Sequence, residues 1–470
     1  MEPRAELGRG LAYSATDPDH RLNAPLDVHW IDPERPFELR QWCEARDIFQ
    51  KDAECRTANG QVFLRRSDLG EYLADQIQRH VDGRSSTSVR HVRATATSAR
   101  HEGGAYRIQT DSQGELIGDL LVIATGNPVP SLRPPFRAED RFDERIIANP
   151  LAPGALDCIP AAARVLIVGS GLTALDVAST LVRRAHQGGI LIVSRRGLRP
   201  RSQSPGTLNE APRRIELSTE VPEFIRDQPT RIAAWTRALR KQIELQVSAG
   251  QHWYQPFDAV RDVVWKLWPQ LATREKLRFL RRLRVFYDVH RFRTPPMNEA
   301  MVADAERRGL VRYAAATLKT VTTTPSSVTV RLLDERARSE KAVAFDCVVN
   351  CTGLDHGSAR DSNPFLRSLL QQGLLRPHAT GYGFDVTEHC EAIDASGAAR
   401  PTLRVLGPPT AGVFGDPVAI PFIANQVSRI LPDVLRTLDL LSVHHGGAEE
   451  HGSRLLLPVL VVLSLTSTGP

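Results

Sequence analysis

A glycine-rich turn between a short apolar run and a helical pattern constrains this chain more than any other feature. Val165–Val168 is apolar and largely β-branched, which is typical of a buried parallel strand. The residues that follow match G-x-G-x-x-A and are Gly169, Ser170, Gly171, Leu172, Thr173 and Ala174. Glycines here permit a sharp turn and close approach of a phosphate, and the following helix N-terminus supplies unpaired N–H groups. This glycine turn (residues 169–174) predicts dinucleotide binding, although an ordinary tight strand-to-helix turn is the alternative.

Basic residues after the next apolar run indicate which dinucleotide is preferred. Ile190–Val193 predicts the second strand, and an acidic residue just beyond it would bind the ribose 2′-hydroxyl of NAD. Arg195 and Arg196 follow this strand instead. Guanidinium groups bind a 2′-phosphate through paired N–H groups, whereas a carboxylate would repel it. The sequence therefore favours NADP over NAD, with a solvated basic turn as the alternative.

Length, composition and charge exclude several classes of protein. A chain of 470 residues predicts about three domains, and its 41% hydrophobic and 24% charged residues are typical of soluble globular proteins. Its longest apolar run, Leu455–Leu465, contains Pro458 and is shorter than the ~20 residues of a bilayer span, so no stable membrane insertion is expected. A net charge of +6 modestly favours anionic small molecules and does not predict a nucleic-acid partner.

Six cysteines without a C-x-x-C motif do not form a disulfide framework. Cys347 and Cys351 stand at the two ends of an apparent strand, which places them ~13 Å apart and beyond the reach of a disulfide. A dithiol partner for a flavin is therefore not expected, and a reducing cytoplasm fits best. The histidines of the tail, His444, His445 and His451, have no spacing that predicts a metal site.

Two further apolar runs end in Thr-Gly, one on each side of the glycine turn. They are Asp119–Gly126 (DLLVIATG) and Phe345–Gly353 (FDCVVNCTG). A small residue and a glycine at the carboxyl end of a strand let the backbone approach a ligand in the crevice of an open α/β sheet. Either run alone fits an ordinary strand-to-loop turn, but together they favour a cofactor site.

A polar, helix-rich segment lies between about residues 201 and 315. Its clearest helix is Arg274–His290, where leucines occupy one face and arginines largely the other. The basic face is interpreted as solvated, with an acidic protein or nucleic acid as the alternative partner. His290, Arg291 and Arg293 are candidates for contact with substrate or nicotinamide, although capping and packing explain them equally well. No side chain is assigned a catalytic role.

These pieces together resemble the bacterial FAD/NAD(P)-binding protein family, which is distantly similar to flavin-containing monooxygenases. The shared pieces are LGRGLAYSATDPDHRLNAP, FLRRSDLGEYL, LLVIATG, VLIVGSGLTALDVA, FYDVHRFRTPP and CVVNCTG. The resemblance implies an α/β fold with two Rossmann-like domains, in which a FAD domain is split around an NAD(P) domain. Residues 1–150 would form the first part of the FAD domain and 151–340 the NAD(P) domain with its helical insertion. Residues 341–442 would complete the FAD domain, and 443–470 would be a disordered tail.

The resemblance also implies which residues contact FAD. Glu2 would bind the adenosine ribose at the end of a strand. The residues implied to lie close to the cofactor are Ala124, Thr125, Gly126 and Gly353. Those in the loop expected near the flavin are Tyr13, Ser14 and Asn23, and those approaching the isoalloxazine ring are Ile420 and Pro421.

Two elements of the family pattern are absent from the sequence. The first G-x-G-x-x-G should precede Glu2, so an upstream segment of roughly thirty to forty residues is expected to supply it. The monooxygenase fingerprint F-x-G-x-x-x-H-x-x-x-W is also missing. The favoured function is a cytoplasmic, FAD-dependent, NADPH-preferring oxidoreductase that passes hydride from nicotinamide to flavin and on to oxygen or a small acceptor. The alternatives are a flavin monooxygenase and a non-catalytic, degenerate nucleotide-binding protein.

Overall fold

In the computed structural model, residues 1–82, 88–203, 219–353, 363–446 and 459–462 are described. The strands are β1 (Ala96–Glu102), β2 (Ala105–Thr110), β3 (Glu115–Gly118), β4 (Leu120–Ile123), β5 (Ile146–Ile147), β6 (Val165–Val168), β7 (Ile190–Ser194), β8 (Val311–Thr323), β9 (Val328–Asp334), β10 (Glu340–Phe345), β11 (Cys347–Asn350), β12 (Glu391–Ile393), β13 (Ala399–Val405) and β14 (Val459–Val462). The α-helices are α1 (Glu38–Ala45), α2 (Ile48–Lys51), α3 (Arg66–Asp82), α4 (Leu172–Arg183), α5 (Glu223–Arg226), α6 (Ile232–Ser248), α7 (Tyr254–Asp262), α8 (Val264–Leu267), α9 (Thr273–Arg282), α10 (Arg284–Arg291), α11 (Pro296–Arg307), α12 (Pro364–Gln371), α13 (Ala411–Phe414) and α14 (Ile420–Gly446).

The larger sheet is built around the strand that precedes the glycine turn. Its order is β10-β9-β8-β7-β6-β11-β5, and the strands from β5 to β8 run parallel. All four residues of β6 are buried, which agrees with its continuous apolar sequence. The strand order reverses between β6 and β11, because β7 and β8 lie on one side of β6 and β11 lies on the other. The strands predicted at Val165–Val168 and Ile190–Val193 are confirmed.

Strand β11 belongs to this larger sheet, which corrects the expected domain boundary. Cys347 lies opposite Val165 and Asn350 opposite Val168 in a parallel register. The sequence analysis placed residues from 341 onward in the FAD domain, but β10 and β11 both extend the sheet that contains the glycine turn. At the other end, β5 also pairs with β11, so the sheet includes residues before 150.

The second domain combines a four-stranded sheet with a separate antiparallel sheet. Its order is β12-β13-β4-β14, with β13 and β14 parallel to β4, and β1-β2-β3 forms the antiparallel sheet. One apolar core joins Tyr106 and Ile108 of the antiparallel sheet with Ile123 of β4, Phe365 of α12 and Val405 of β13. Segments from both ends of the chain therefore share this core, as expected for a domain split in sequence.

Strand β14 differs from the disorder expected for the tail. Val459–Val462 pairs in parallel register with Leu120–Ile123 of β4. The amino group of Met1 donates a hydrogen bond to the Val461 carbonyl oxygen at 2.5 Å. These four residues therefore join β4 and are also bonded to the first residue of the chain.

The helical insertion is confirmed between β7 and β8, with one local difference. The helix expected at Arg274–His290 is two helices, because α9 ends at Arg282 and α10 begins at Arg284. Within the described ranges, none of the helices combines the length and apolar character needed to cross a bilayer.

Candidate dinucleotide-binding site

Gly169 lies where the carboxyl ends of β6 and β11 come closest. Its φ is +110°, and a Cβ atom built there would lie 2.0 Å from the Cys351 carbonyl oxygen. The Cys351 N–H donates to the Val168 carbonyl oxygen at 2.7 Å, so the two strand ends are hydrogen-bonded at this point. The first glycine is therefore required by the contact between the strands as well as by the turn.

Gly171, unlike Gly169, faces open space. It is exposed, has a φ of −82° that any residue can adopt, and its added Cβ would have no protein atom within 4 Å. Helix α4 begins at the next residue, and its first turn, Leu172 and Thr173, is half-buried. Open space in front of a helix N-terminus is what a pyrophosphate requires. Ala174 is 1% exposed, as close helix–strand packing demands.

The turn is tied to the segment that follows β7. The Ser170 hydroxyl donates to the Leu198 carbonyl oxygen at 2.6 Å. This bond keeps residues 195–199 beside the glycine turn, where the ribose end of a dinucleotide would lie in a Rossmann-like unit.

The arginines of this segment divide into two kinds. Arg199 makes two 2.8 Å hydrogen bonds to the Glu306 carboxylate and lies 3.5 Å from the Tyr313 ring centroid. The bond to Glu306 raises the pKa of Arg199 above its usual range. Arg195 and Arg196 are exposed and make no ion pair with any residue that the structure describes. The Arg196 guanidinium lies 5.2 Å from the Phe286 ring centroid, so α10 of the insertion helps to position it. Arg195 and Arg196 are thus free to bind an anion, whereas Arg199 is not.

The residues expected near the flavin ring come together in part. Tyr13 and Ile420 pack against the same apolar cluster, although they are far apart in sequence. Pro421 is buried, and the next residue, Phe422, packs against Trp30. The N-terminus of α14 therefore lies against the N-terminal part of the chain. Burial raises the pKa of the Tyr13 phenol.

Ser14 and Asn23 make only local or backbone contacts in this loop. The Ser14 hydroxyl donates to the Gly10 carbonyl oxygen at 2.5 Å. The Asn23 carbonyl oxygen accepts from the Gln203 amide at 3.4 Å, which links the loop to the segment after β7.

The glycines of the two Thr-Gly pairs lie at different sheets. The half-buried residues that follow β4 are Ala124, Thr125 and Gly126, whereas Gly353 follows β11. Gly126 has a φ of +67° and no protein atom within 4 Å of an added Cβ. Gly353 also faces open space, but it follows β11 and so belongs beside the glycine turn. Gly353 therefore follows a strand of the larger sheet, and its contact with FAD stays a prediction.

Within the part of the chain that the structure describes, some buried polar atoms near these loops have no hydrogen-bond partner. They are Nδ1 of His29, Nε1 of Trp30 and Oδ1 of Asn127. Such atoms fit contacts with a polar ring system. Glu2 is buried, and its carboxylate accepts from the backbone and guanidinium of Arg4. The described residues thus fit the ring end of a flavin, but no G-x-G-x-x-G turn lies among them for its pyrophosphate.

Charged contacts between the two domains were not predicted from the sequence. Arg66 of α3 pairs with the buried Asp176 of α4 at 2.7 Å. Burial raises the pKa of Asp176, and the Arg66 charge opposes that shift. Arg183 of α4 binds both Asp19 and Glu54 of the N-terminal part, at 2.5 and 2.6 Å. A carboxylate inside the apolar pattern of α4 signals a buried partner, but the sequence does not identify which arginine supplies it.

The thiols near the glycine turn are buried. Cys347 and Cys351 carry free thiols, and burial raises the pKa of Cys347 to about 11. Burial also raises the pKa of Cys351. Both thiols are therefore disfavoured as thiolates.

Comparison with known proteins supports the flavoprotein fold. Residues 1–128 match a family model described as FAD-NAD(P)-binding. No curated protein of similar sequence was found. The structure is similar to ornithine hydroxylase from Pseudomonas aeruginosa, with a TM-score of 0.59 and 12% identity over 93% of this chain and 90% of that chain.

Two other solved structures give the same result. Ornithine N-hydroxylase from Kutzneria sp. 744, solved with reduced FAD, NADP⁺ and L-ornithine, has a TM-score of 0.59 and 14% identity, covering 93% of this chain and 92% of that chain. L-lysine 6-monooxygenase from Pseudomonas syringae has a TM-score of 0.58 and 17% identity, covering 88% and 87%. The resemblance to two-domain flavoproteins and the α/β fold class are confirmed.

Proposed function

We propose that this protein is a cytoplasmic, FAD-dependent oxidoreductase that prefers NADPH and acts on a small-molecule substrate. One observation carries the proposal: the open space at Gly171 stands before a helix N-terminus, beside two arginines that have no ion-pair partner in the described chain. The family model over residues 1–128 and the cofactors in the Kutzneria enzyme support it.

Each part of the site has a distinct role in the proposal. The N–H groups at the start of α4 bind the NADPH pyrophosphate, and Gly171 leaves room for it. Arg195 and Arg196 bind the 2′-phosphate. Tyr13, Trp30 and Ile420 form an apolar wall that excludes water from the flavin side. When bound, FAD supplies the capacity to accept hydride and pass electrons onward.

The proposal is tested by cofactor content and reduction. We expect the purified protein to bind FAD, and NADPH to bleach the flavin absorbance under anaerobic conditions faster than NADH does. Flavin content measured after denaturation gives the stoichiometry. Bound flavin that neither nicotinamide reduces would contradict an oxidoreductase of this type.

A flavin monooxygenase is the second candidate. It is favoured by structural similarity to hydroxylases along nearly the whole chain, including ornithine and lysine enzymes. L-ornithine, L-lysine and cadaverine are suitable probes, the last because a cadaverine monooxygenase from Erwinia amylovora is another structural match. Hydroxylated product in proportion to NADPH consumed supports this candidate, whereas hydrogen peroxide alone supports an oxidase or reductase.

A non-catalytic nucleotide-binding protein is the third candidate. It is favoured because the described residues hold no G-x-G-x-x-G turn beside β4. Under this candidate, NADPH would bind at Gly171 while the full-length protein supplied with FAD would acquire none.

A further inference from the structure

A groove between α6 and α9 of the helical insertion is lined by positive charge. Its volume is about 800 Å³, and it lies apart from the glycine turn. The side chains on its α6 wall include Arg237, Arg240 and Lys241, and those on its α9 wall include Arg278 and Arg282. Residues three and four apart on a helix share a face, so each set of cations points to the same side. We call this feature the basic groove.

A buried carboxylate fixes the two walls relative to each other. Glu275 of α9 is 5% exposed, and its carboxylate accepts a hydrogen bond from the Ile232 N–H at the start of α6 at 3.0 Å. Its other oxygen accepts from the Arg278 guanidinium at 2.9 Å. The basic groove is therefore held open by a specific contact between its walls.

Most cations of the basic groove lack partners. Arg278 pairs with Glu275, but no ion pair is found for Arg237, Arg240, Lys241 or Arg282 within the part of the chain that the structure describes. Like charges three or four residues apart repel each other and destabilise a helix. An anion bound between the walls would relieve that repulsion.

The dimensions of the groove decide which anion fits. From Ile232 to Glu244, its α6 wall is roughly 18 Å long, which is the length of about three helical turns. Half of a helix of this length with its side chains occupies roughly 700–1,000 Å³, a range that includes the volume of the groove. The exposed Ala233 and the half-buried Leu283 provide apolar contact between the two rows of charge. A small-molecule site would instead place a few converging polar groups in a mostly apolar pocket.

We propose that the basic groove binds an acidic amphipathic helix of a partner protein. The apolar face of that helix contacts Ala233 and Leu283, and its carboxylates pair with the cations of both walls. Glu244, the single carboxylate among the lining residues, opposes binding at one end. This function is independent of the reaction at the cofactor site.

The test uses the full-length protein and a designed probe. The probe is a fluorescein-labelled helical peptide of about fourteen residues, with leucines on one face and glutamates on its flanks. Fluorescence anisotropy should show saturable binding at about 50 mM NaCl that weakens at about 300 mM NaCl, because salt screens the exposed charges. The same peptide with glutamine in place of glutamate should not bind.

Matched charge variants locate the binding. Arg240→Glu with Lys241→Glu should weaken binding about tenfold or more, whereas Glu244→Lys should strengthen it about threefold. Arg307→Glu with Arg308→Glu makes the same charge change at exposed positions where α11 ends and should leave affinity unchanged. Circular dichroism confirms that each variant is folded.

Two results would overturn the proposal. One is equal peptide affinity in the wild type, the Arg240–Lys241 variant and the Glu244 variant. The other is tighter binding of a single-stranded oligonucleotide or of inositol hexakisphosphate than of the peptide, which would assign the groove to a polyanion.

Discussion

Gly169 and Gly171 should respond to alanine in opposite ways, although they are two residues apart. At Gly169 the new Cβ would lie 2.0 Å from the Cys351 carbonyl oxygen, at a φ of +110°. Left-handed strain costs about 1–3 kcal/mol and overpacking about 1–3 kcal/mol. We therefore expect Gly169→Ala to lower the free energy of unfolding by about 2–5 kcal/mol. The melting temperature should fall by about 4 °C or more.

At Gly171 the added methyl meets no protein atom within 4 Å, so stability should be nearly unchanged. Alanine is a poorer N-cap than glycine by roughly 0.5–1 kcal/mol, but it restricts the unfolded chain by about 0.4–1 kcal/mol. The methyl instead occupies the space proposed for the NADPH pyrophosphate. Losing one charge-assisted hydrogen bond of about 1.5–3 kcal/mol would weaken NADPH binding about tenfold to a hundredfold.

The assays are thermal unfolding followed by circular dichroism and titration of NADPH fluorescence, applied to both variants in parallel. Gly171→Ala should have the melting temperature of the wild type but a weaker affinity for NADPH. If Gly171→Ala binds NADPH as tightly as the wild type, the proposed phosphate site is refuted. If Gly171→Ala has a melting temperature as low as that of Gly169→Ala, the conclusion that residue 171 faces open space is wrong.

Three further predictions follow from single features. Arg195→Ala or Arg196→Ala should weaken NADPH binding about tenfold to a hundredfold and leave NADH binding unchanged. Equal losses of affinity for both coenzymes would contradict this. Arg199→Ala should mainly lower the melting temperature, because Arg199 is paired with Glu306. Burial lowers the pKa of His29 to about 4, so the unfolded chain binds more protons and stability should fall by up to about 3 kcal/mol between pH 6.5 and 4. In urea unfolding, His29→Gln should lose less stability over that range, and an equal loss would exclude His29 as the cause. Deleting residues 447–470 removes β14 and should lower the urea midpoint while NADPH affinity persists; an unchanged midpoint would show that β14 adds no stability.

The strands around the glycine turn could be predicted because their signals are local. A buried parallel strand is a continuous apolar run, and glycines mark its end, so β6 was predicted to the residue and β7 to within one. The sheet to which β11 belongs could not be predicted in this way. The runs before Gly126 and Gly353 have the same pattern of apolar residues followed by Thr-Gly, and only pairing with β6 distinguishes them. Strand pairing over such sequence distances leaves no local trace.

The backbone elements of the candidate site could be predicted from the sequence, but the ion pairs between its side chains could not. The glycine turn and the arginine segment follow from spacing, because each depends on residues adjacent in sequence. Whether an arginine of this segment is free depends on Glu306, more than a hundred residues away. Arg199 is bonded to the Glu306 carboxylate and so cannot bind the 2′-phosphate. The contact between Arg66 and Asp176 likewise joins two domains. Long side chains select distant partners, so composition alone cannot separate a binding arginine from a structural one.

A dinucleotide-binding sheet usually has one strand that both covers the sheet edge and leads into the phosphate-binding glycine turn. Strand β14 does only the first of these. A parallel sheet needs a strand beside β4 to cover that edge, and Val459–Val462 fills the position and accepts a hydrogen bond from the Met1 amino group. A cofactor also needs a glycine turn after such a strand, which the described residues supply only at β6. The apolar run that forms β14 lacks alternation, as expected for a strand inside a parallel sheet, but its shortness gave no indication of which edge it would join. Sheet completion and phosphate binding can therefore be measured independently, the first by stability and the second by cofactor affinity.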